Sequence, residues 1–278
     1  MAPQNVETLY KILRRQADEI VRRRQVLLRR PSHGQSVHKI RVATRRVRQA
    51  LRLLVEAAAT RRAKRWLRRA RGLGQALGDP RALDVSIAIL RRRYARRHPT
   101  AVRQAAAGLA DLRRGADERI VEALTDFKAK KFRRQIDQLL GSETGRLEKG
   151  WERLLRRAIT GHARRLRRAL SSEERMREEL HDLRILVKKL RYRMEIADDM
   201  GHRSYGRPIG SLTRFQSLLG DWHDHQVLLE HLAQLRTPSD ATARSRRTAL
   251  FEDVSRHEKA AKERAVSELR SKVRSALS

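Results

Sequence analysis

His38, Arg41, Arg45, Arg48 and Arg52 follow one another at steps of three, four, three and four residues. On a helix those steps put the side chains in one line, with a donor about every 5 Å along the axis. Arginine brings a planar fork that pairs two phosphate oxygens at once and stays charged at neutral pH. The chemistry such a line could do is to hold a string of phosphates. Between Glu19 and Asp79 the only acidic residue is Glu56, so the row has little to neutralise it from nearby in sequence. Taken alone, one basic row is most simply a solvated face.

The chain writes the row twice. Leu180–Ala197, LHDLRILVKKLRYRMEIA, superimposes on Val37–Leu54, VHKIRVATRRVRQALRLL, with an offset of 143: His181 on His38, Arg184 on Arg41, Lys188 on Arg45 and Arg191 on Arg48. The apolar positions repeat as well, Leu183 on Ile40, Leu190 on Val47 and Met194 on Leu51. Packing fixes apolar positions, but it gives a solvated surface no reason to keep His-x-x-Arg-x-x-x-(Arg/Lys)-x-x-Arg in both copies. A third segment, Arg61–Leu77, adds Arg61, Lys64, Arg68 and Arg71 opposite an apolar side of Ala63, Trp66, Ala70, Leu73 and Leu77. Its counterpart in the second half is thin, reduced to Arg203, Arg207 and Arg214.

The elements that must carry these rows are helices. Read at 100° per residue, Ile40, Ala43, Val47, Ala50, Leu51 and Leu54 form the back of the first row. A preceding helix is expected over Val6–Arg30, stopped by Pro31, with Ser36 as N-cap of the next. Leu77-Gly78-Asp79-Pro80 reads as a helix end, a turn and a new start, and that next helix should run to about His98. Thr100–Leu140 is expected as one or two helices broken near Gly115. Gly141-Ser142 is the expected boundary between halves of about 1–142 and 143–278. Trp151–Leu170, a capping box Ser171-x-x-Glu174, a helix over Leu212–Leu219 and a final helix from Pro238 complete the second half. There Leu219-Gly220-Asp221 repeats Leu77-Gly78-Asp79, and Asp221, His223, Asp224 and His225 are expected at a helix N-terminus. No stretch alternates as a strand does, so the class is all-α.

The 278 residues include 66 Lys and Arg against 32 Asp and Glu, a formal net charge of +34, with 36 and 12 of these over residues 1–142. Self-repulsion at that charge opposes folding, so a polyanion should stabilise the chain as well as bind it. There is no cysteine, which removes disulfides, thiolate metal sites and a Cys nucleophile and suits a reducing compartment. MAPQNVETLYK lacks an apolar core, so no signal peptide is expected, and no apolar run is long enough to span a bilayer.

The paired His–Arg helices and the two Leu-Gly-Asp segments resemble the CHAD family, the conserved-histidine α-helical domain, over essentially the whole chain. The resemblance implies two similar antiparallel helical bundles about a pseudo-two-fold axis, with a basic central groove or pore. It implies inorganic polyphosphate as ligand and, in bacteria, association with polyphosphate granules. The expected function is therefore a non-catalytic binding module, cytoplasmic, with no cofactor or resident metal. His38, Arg41, Arg45 and Arg48, then His181, Arg184, Lys188, Arg191 and Tyr192, are carried over by the motif; Arg52, Lys64 and Arg68 extend the rows. One position departs. After the first Leu-Gly, where the family usually has Arg-Asp, Arg81 is followed by Ala82, whereas the second half keeps Asp224. Asp84 is the nearby carboxylate that could take that place.

Two other functions compete. A charge of this size attracts DNA or RNA non-specifically, although aromatics are only 4% of residues and no recognition module is present. His181-Asp182 and His223-Asp224 are His-Asp doublets of the kind metal-dependent phosphohydrolases use, and a doublet alone is weak.

Overall fold

Alanine, leucine and arginine are strong helix formers, and a computed structural model of the chain is helical nearly throughout. It describes the backbone of residues 4–58, 61–141, 144–201 and 205–277, and the side chains within these except 4–6, 57–58, 137, 139–141, 144–150 and 272–277. Arg203 of the thin row and Ser142 of the expected boundary lie outside the described residues. In chain order the helices are α1 (Gln4–Arg29), α2 (Gly34–Ala58), α3 (Arg61–Ala76), α4 (Gly78–Ile89), α5 (Pro99–Arg114), α6 (Asp117–Asp126), α7 (Ala129–Gly141), α8 (Thr144–Ala169), α9 (Glu173–Glu178), α10 (Leu180–Asp199), α11 (Gly206–Gln234) and α12 (Ala241–Leu277). One π-helical turn, Leu90–Tyr94, continues α4. Among the described residues there is no strand.

The chain gathers into two compact units. One comprises Met1–Gly78, Asp117–Arg165 and Leu186–Thr213; the other comprises Asp79–Ala116, Leu166–Ile185 and Arg214–Ser278. Each therefore draws on both halves of the sequence.

In the first unit α2 packs on α1 and α3, α1 on α7, and α3 on α6. The expected back of α2 is its buried side: Ile40, Ala43, Val47, Ala50, Leu51 and Leu54 are all at most 3% exposed. Across α3, Trp66 meets Phe132 at 4.7 Å and Phe127 at 5.8 Å between ring centroids, and its Nε1 donates to Gln135 Oε1 at 3.2 Å. The core of the second unit joins Leu83, Leu90 and Tyr94 to Val102 and Leu109 of α5, Leu228 and Leu232 of α11, and Leu250 and Val254 of α12.

Helix ends differ from expectation in ways that side chains explain. Ser36 is no N-cap: it is fully buried inside α2, and the ring of His33 does the capping, its Nδ1 accepting from Ser36 N at 3.2 Å. Likewise Ser172, and not Ser171, caps α9 by accepting from Arg175 N; Ser171 Oγ donates instead to Arg168 O. The span after Pro99 holds three helices, because Lys128 takes a positive φ of 52° between α6 and α7 and adds a second break. The Leu-Gly-Asp copies diverge. The first separates α3 from α4, whereas the second lies inside the continuous α11, so Asp221, His223, Asp224 and His225 are mid-helix and not at an N-terminus. Pro80 accounts for the difference: proline has no N–H for the preceding turn and clashes with the carbonyl four residues back, and the second copy has Trp222 in that place.

Candidate anion-binding site

In the first unit, burial of the apolar arc of α2 turns the opposite arc outward. Arg41, Arg45, Arg48 and Arg52 are half-buried there and His38 is exposed. α3 supplies the floor. Arg41 Nη1 reaches Gly74 O at a long 3.5 Å. A Cβ at Gly74 would stand 3.1 Å from Arg48 Nη1, and one at Gly78 3.4 Å from Arg41 Nη1. Gly74 thus lets the Arg48 guanidinium lie close to the α3 backbone, and Gly78, the first residue of α4, leaves room for that of Arg41.

α10 contributes through Tyr192, which is buried. Arg45 Nη1 donates to its Oη at 2.5 Å. The Arg45 guanidinium stands 5.7 Å from the ring centroid and that of Arg191 4.6 Å, so one ring holds two cations by cation–π attraction. Arg191 also donates to Glu195 four residues on. Lys188, half-buried, lies one turn earlier on the same helix.

The row is electrostatically crowded. Burial first, then Arg52, Arg71 and Arg45, push the pKa of Arg48 below the ordinary guanidinium value. Burial, Arg71 and Arg193 do the same to Arg52, and Glu56 pulls the other way. Arginine is basic enough to stay charged through such a shift. The shift reflects burial first and repulsion second, and an arriving anion would relieve both. Arg48 Nε is buried with no hydrogen-bond partner among the described residues. Glu56 is itself engaged, accepting from Arg193 Nη2 at 2.7 Å.

Arg193 was not legible as part of this site. It is only 7% exposed, and its Nη1 lies 3.3 Å from His162 Nδ1. The signal was available in the repeat: Arg193 stands where the first copy has the buried Ala50, and a cation at a packed position needs a partner. Arg71 belongs with the row by its effect on Arg48 and Arg52. Lys64 and Arg68, on the same helix, are exposed.

The second copy divides between the units. His181 and Arg184 lie in the second unit, where His181 is exposed and its ring sits 5.6 Å from that of His223. Asp84, the stand-in for the missing aspartate, accepts from Arg113 Nε at 3.1 Å, also in the second unit. Among the described residues no three His, Cys, Asp or Glu side chains come together as metal ligands, and no helix is long and apolar enough to cross a membrane.

An all-helical chain that presents a half-buried line of arginines defines a basic helical domain. The family model of the CHAD domain matches residues 11–233, and the chain belongs to that family. Two solved structures share its fold. The crystal structure of the CHAD domain from the plant Ricinus communis is 20% identical, with TM-score 0.62 over 94% of this chain and 92% of that one. PptA from Streptomyces chartreusis is 19% identical, with TM-score 0.63 over 95% and 98%. No curated protein matches the chain.

Proposed function

We propose that this chain binds inorganic polyphosphate without transforming it and, through that binding, associates with polyphosphate granules in the cytoplasm. On this reading the chain is one CHAD domain of two repeated halves, about 1–142 and 143–278. The observation that carries the proposal is the crowding around Arg48 and Arg52. Arg45, Arg71 and Arg193 press on them, and the carboxylate opposing them, Glu56, is already paired.

A linear polyphosphate suits such a row better than a compact anion does. Its charges recur along a flexible chain, so it can meet one guanidinium after another, and affinity grows with valency. His38, Arg41, Arg45, Arg48 and Arg52 make the first contacts. Lys64, Arg68 and Arg71 extend them along α3, and Lys188, Arg191 and Tyr192 join from α10. His181 and Arg184 supply the matching contacts of the second copy.

Titration with polyphosphates of increasing length tests this. Affinity is expected to rise with length and to fall by orders of magnitude as salt rises a few-fold, by analogy with other multi-phosphate contacts. EDTA should leave binding unchanged. Equal affinity for triphosphate and long chains, or a flat salt response, would sink the reading. Loss of binding on chelation would favour a metal-dependent role for the His-Asp doublets. Tighter binding of duplex DNA than of polyphosphate at equal phosphate concentration would favour nucleic acid.

A further inference from the structure

The α2 row is not the only basic face in the first unit. From Trp151 to Arg165, α8 buries Trp151, Leu155 and Ile159 at 1%, 2% and 5% exposure. The opposite side exposes Arg153, Arg156, Arg157 and Arg164. At 100° per residue, Arg153, Arg157 and Arg164 fall within about 40° of one another and span about 16 Å of helix. Between them lie only Thr160 and Gly161, and a Cβ added at Gly161 would meet open space. The track is narrow, unobstructed and lined by one residue type.

A face that merely keeps a helix in water mixes Glu with Lys, because like charges three or four residues apart destabilise the helix they sit on. Here Glu152 is the one acid from Trp151 to Arg165, and it pairs with Arg156 at 2.9 Å. Arg153, Arg157 and Arg164 have no salt bridge among the described residues. The face also points away from the α2 row: His162, which meets Arg193 at 3.3 Å, lies on the opposite side of α8 at 100° per residue. No aromatic side chain is exposed along it, so it has nothing on which unpaired bases could stack. An evenly spaced line of forks without base-reading groups complements a bare phosphate chain.

We infer that the outer face of α8 is a second polyphosphate-binding face, so that one molecule holds two polymer segments and cross-links chains. The inference rests on the polyphosphate reading of the α2 row and adds to it. A single-faced protein coats a chain; a two-faced one gathers chains into a network.

The experiment compares the full chain with two triple variants. One is Arg153→Gln, Arg157→Gln and Arg164→Gln. The other is Arg103→Gln, Arg119→Gln and Arg246→Gln, which removes the same charge from exposed positions on α5, α6 and α12. Circular dichroism confirms that each keeps its helicity, as Gln should allow. Light scattering with long-chain inorganic polyphosphate reads bridging, and titration with a chain too short to bridge reads affinity at one face. The α8 variant is expected to scatter about tenfold less than the dispersed variant, because bridging needs both valences. Its short-chain affinity should stay within about twofold of that of the dispersed variant, the long-range charge being equal. Equal scattering by the two variants would overturn the second face while leaving the α2 reading intact. Failure of the unaltered chain to bind polyphosphate of any length would overturn the α2 reading and this inference with it. If the α8 variant keeps full scattering with polyphosphate but loses retention of duplex DNA, the face serves nucleic acid and the inference is wrong.

Discussion

At the place where α2 carries Arg52, α10 carries Glu195, 143 residues later. Up to there the two rows agree, Arg45 with Lys188 and Arg48 with Arg191, and then they part. On α2 the last arginine adds to the crowding on Arg48. On α10 the acid accepts from Arg191 and neutralises it, while Tyr192 adds a ring over the same guanidinium. One copy of the motif is thus left charged, and the other partly satisfies itself. Repetition of a motif preserves the spacing of the donors but not their availability, because availability is set by whatever stands one turn further on. On the proposed reading the first copy is the stronger binding row, and the second adds weaker contacts and holds Arg45 through Tyr192.

The strongest test of that asymmetry replaces equivalent pairs. Arg45→Gln with Arg48→Gln should weaken polyphosphate binding by more than about tenfold, since each charge-assisted contact is worth about 1.5–3 kcal/mol before solvent competes. Lys188→Gln with Arg191→Gln should cost only about threefold, as expected where a cation is already paired. Isothermal titration on both variants decides it; equal losses would mean that Glu195 does not disable its row.

A smaller effect should appear with pH. Burial holds the Glu195 carboxyl above the usual carboxylate value, with Arg191 and Arg46 opposing the shift. A carboxyl with a raised pKa takes up its proton at a higher pH than an ordinary carboxylate does. Protonation releases Arg191, so affinity should climb about two- to threefold as the proton is taken up on lowering pH. The relevant quantity is the difference from Glu195→Gln, which lacks that proton. That variant should bind more tightly than the unaltered chain at neutral pH, and the difference should narrow as pH falls. A constant gap across the range would refute the release of Arg191.

The smallest effect concerns Tyr192. Tyr192→Phe removes the acceptor of Arg45 and should cost about 1 kcal/mol of stability, read as a Tm lower by about 2 °C. Polyphosphate affinity should fall by no more than about twofold, the phenol being one contact among many. Unchanged affinity would mean that Tyr192 only positions Arg45.

Burial and period were the legible part of this chain. A helix that packs must repeat its apolar residues, and the back of α2 could be read one residue at a time, as could Leu183 and Leu190 on α10, 1% and 3% exposed. Leu28 of α1 is an exception at 36% exposure, lying at the end of its helix where packing stops dictating. Helix ends were harder, because the cap is a choice among neighbouring polar residues: His33 over Ser36, Ser172 over Ser171. The electrostatic content of the site was mostly hidden. Arg193 pairs with a carboxylate 137 positions away and Arg45 with a hydroxyl 147 away, and local spacing carries no trace of such partners. The offset of 143 did contain a clue, since Arg193 for Ala50 and Glu195 for Arg52 are visible as mismatches between copies. A repeat is most informative where it fails.

Gly74 has a consequence for anyone who would make this protein more robust. A glycine inside a helix is the first residue a stabilisation campaign replaces, and alanine there should gain roughly 0.5–1 kcal/mol. Here the atom that the new methyl group would meet is the far end of the Arg48 side chain, 3.1 Å away. The backbone need not move to admit it; the guanidinium would swing aside. On the proposed reading the altered protein would melt later and keep its fold, yet hold polyphosphate less tightly. Thermal ranking of a variant library would select against binding at this position without any sign that it had done so.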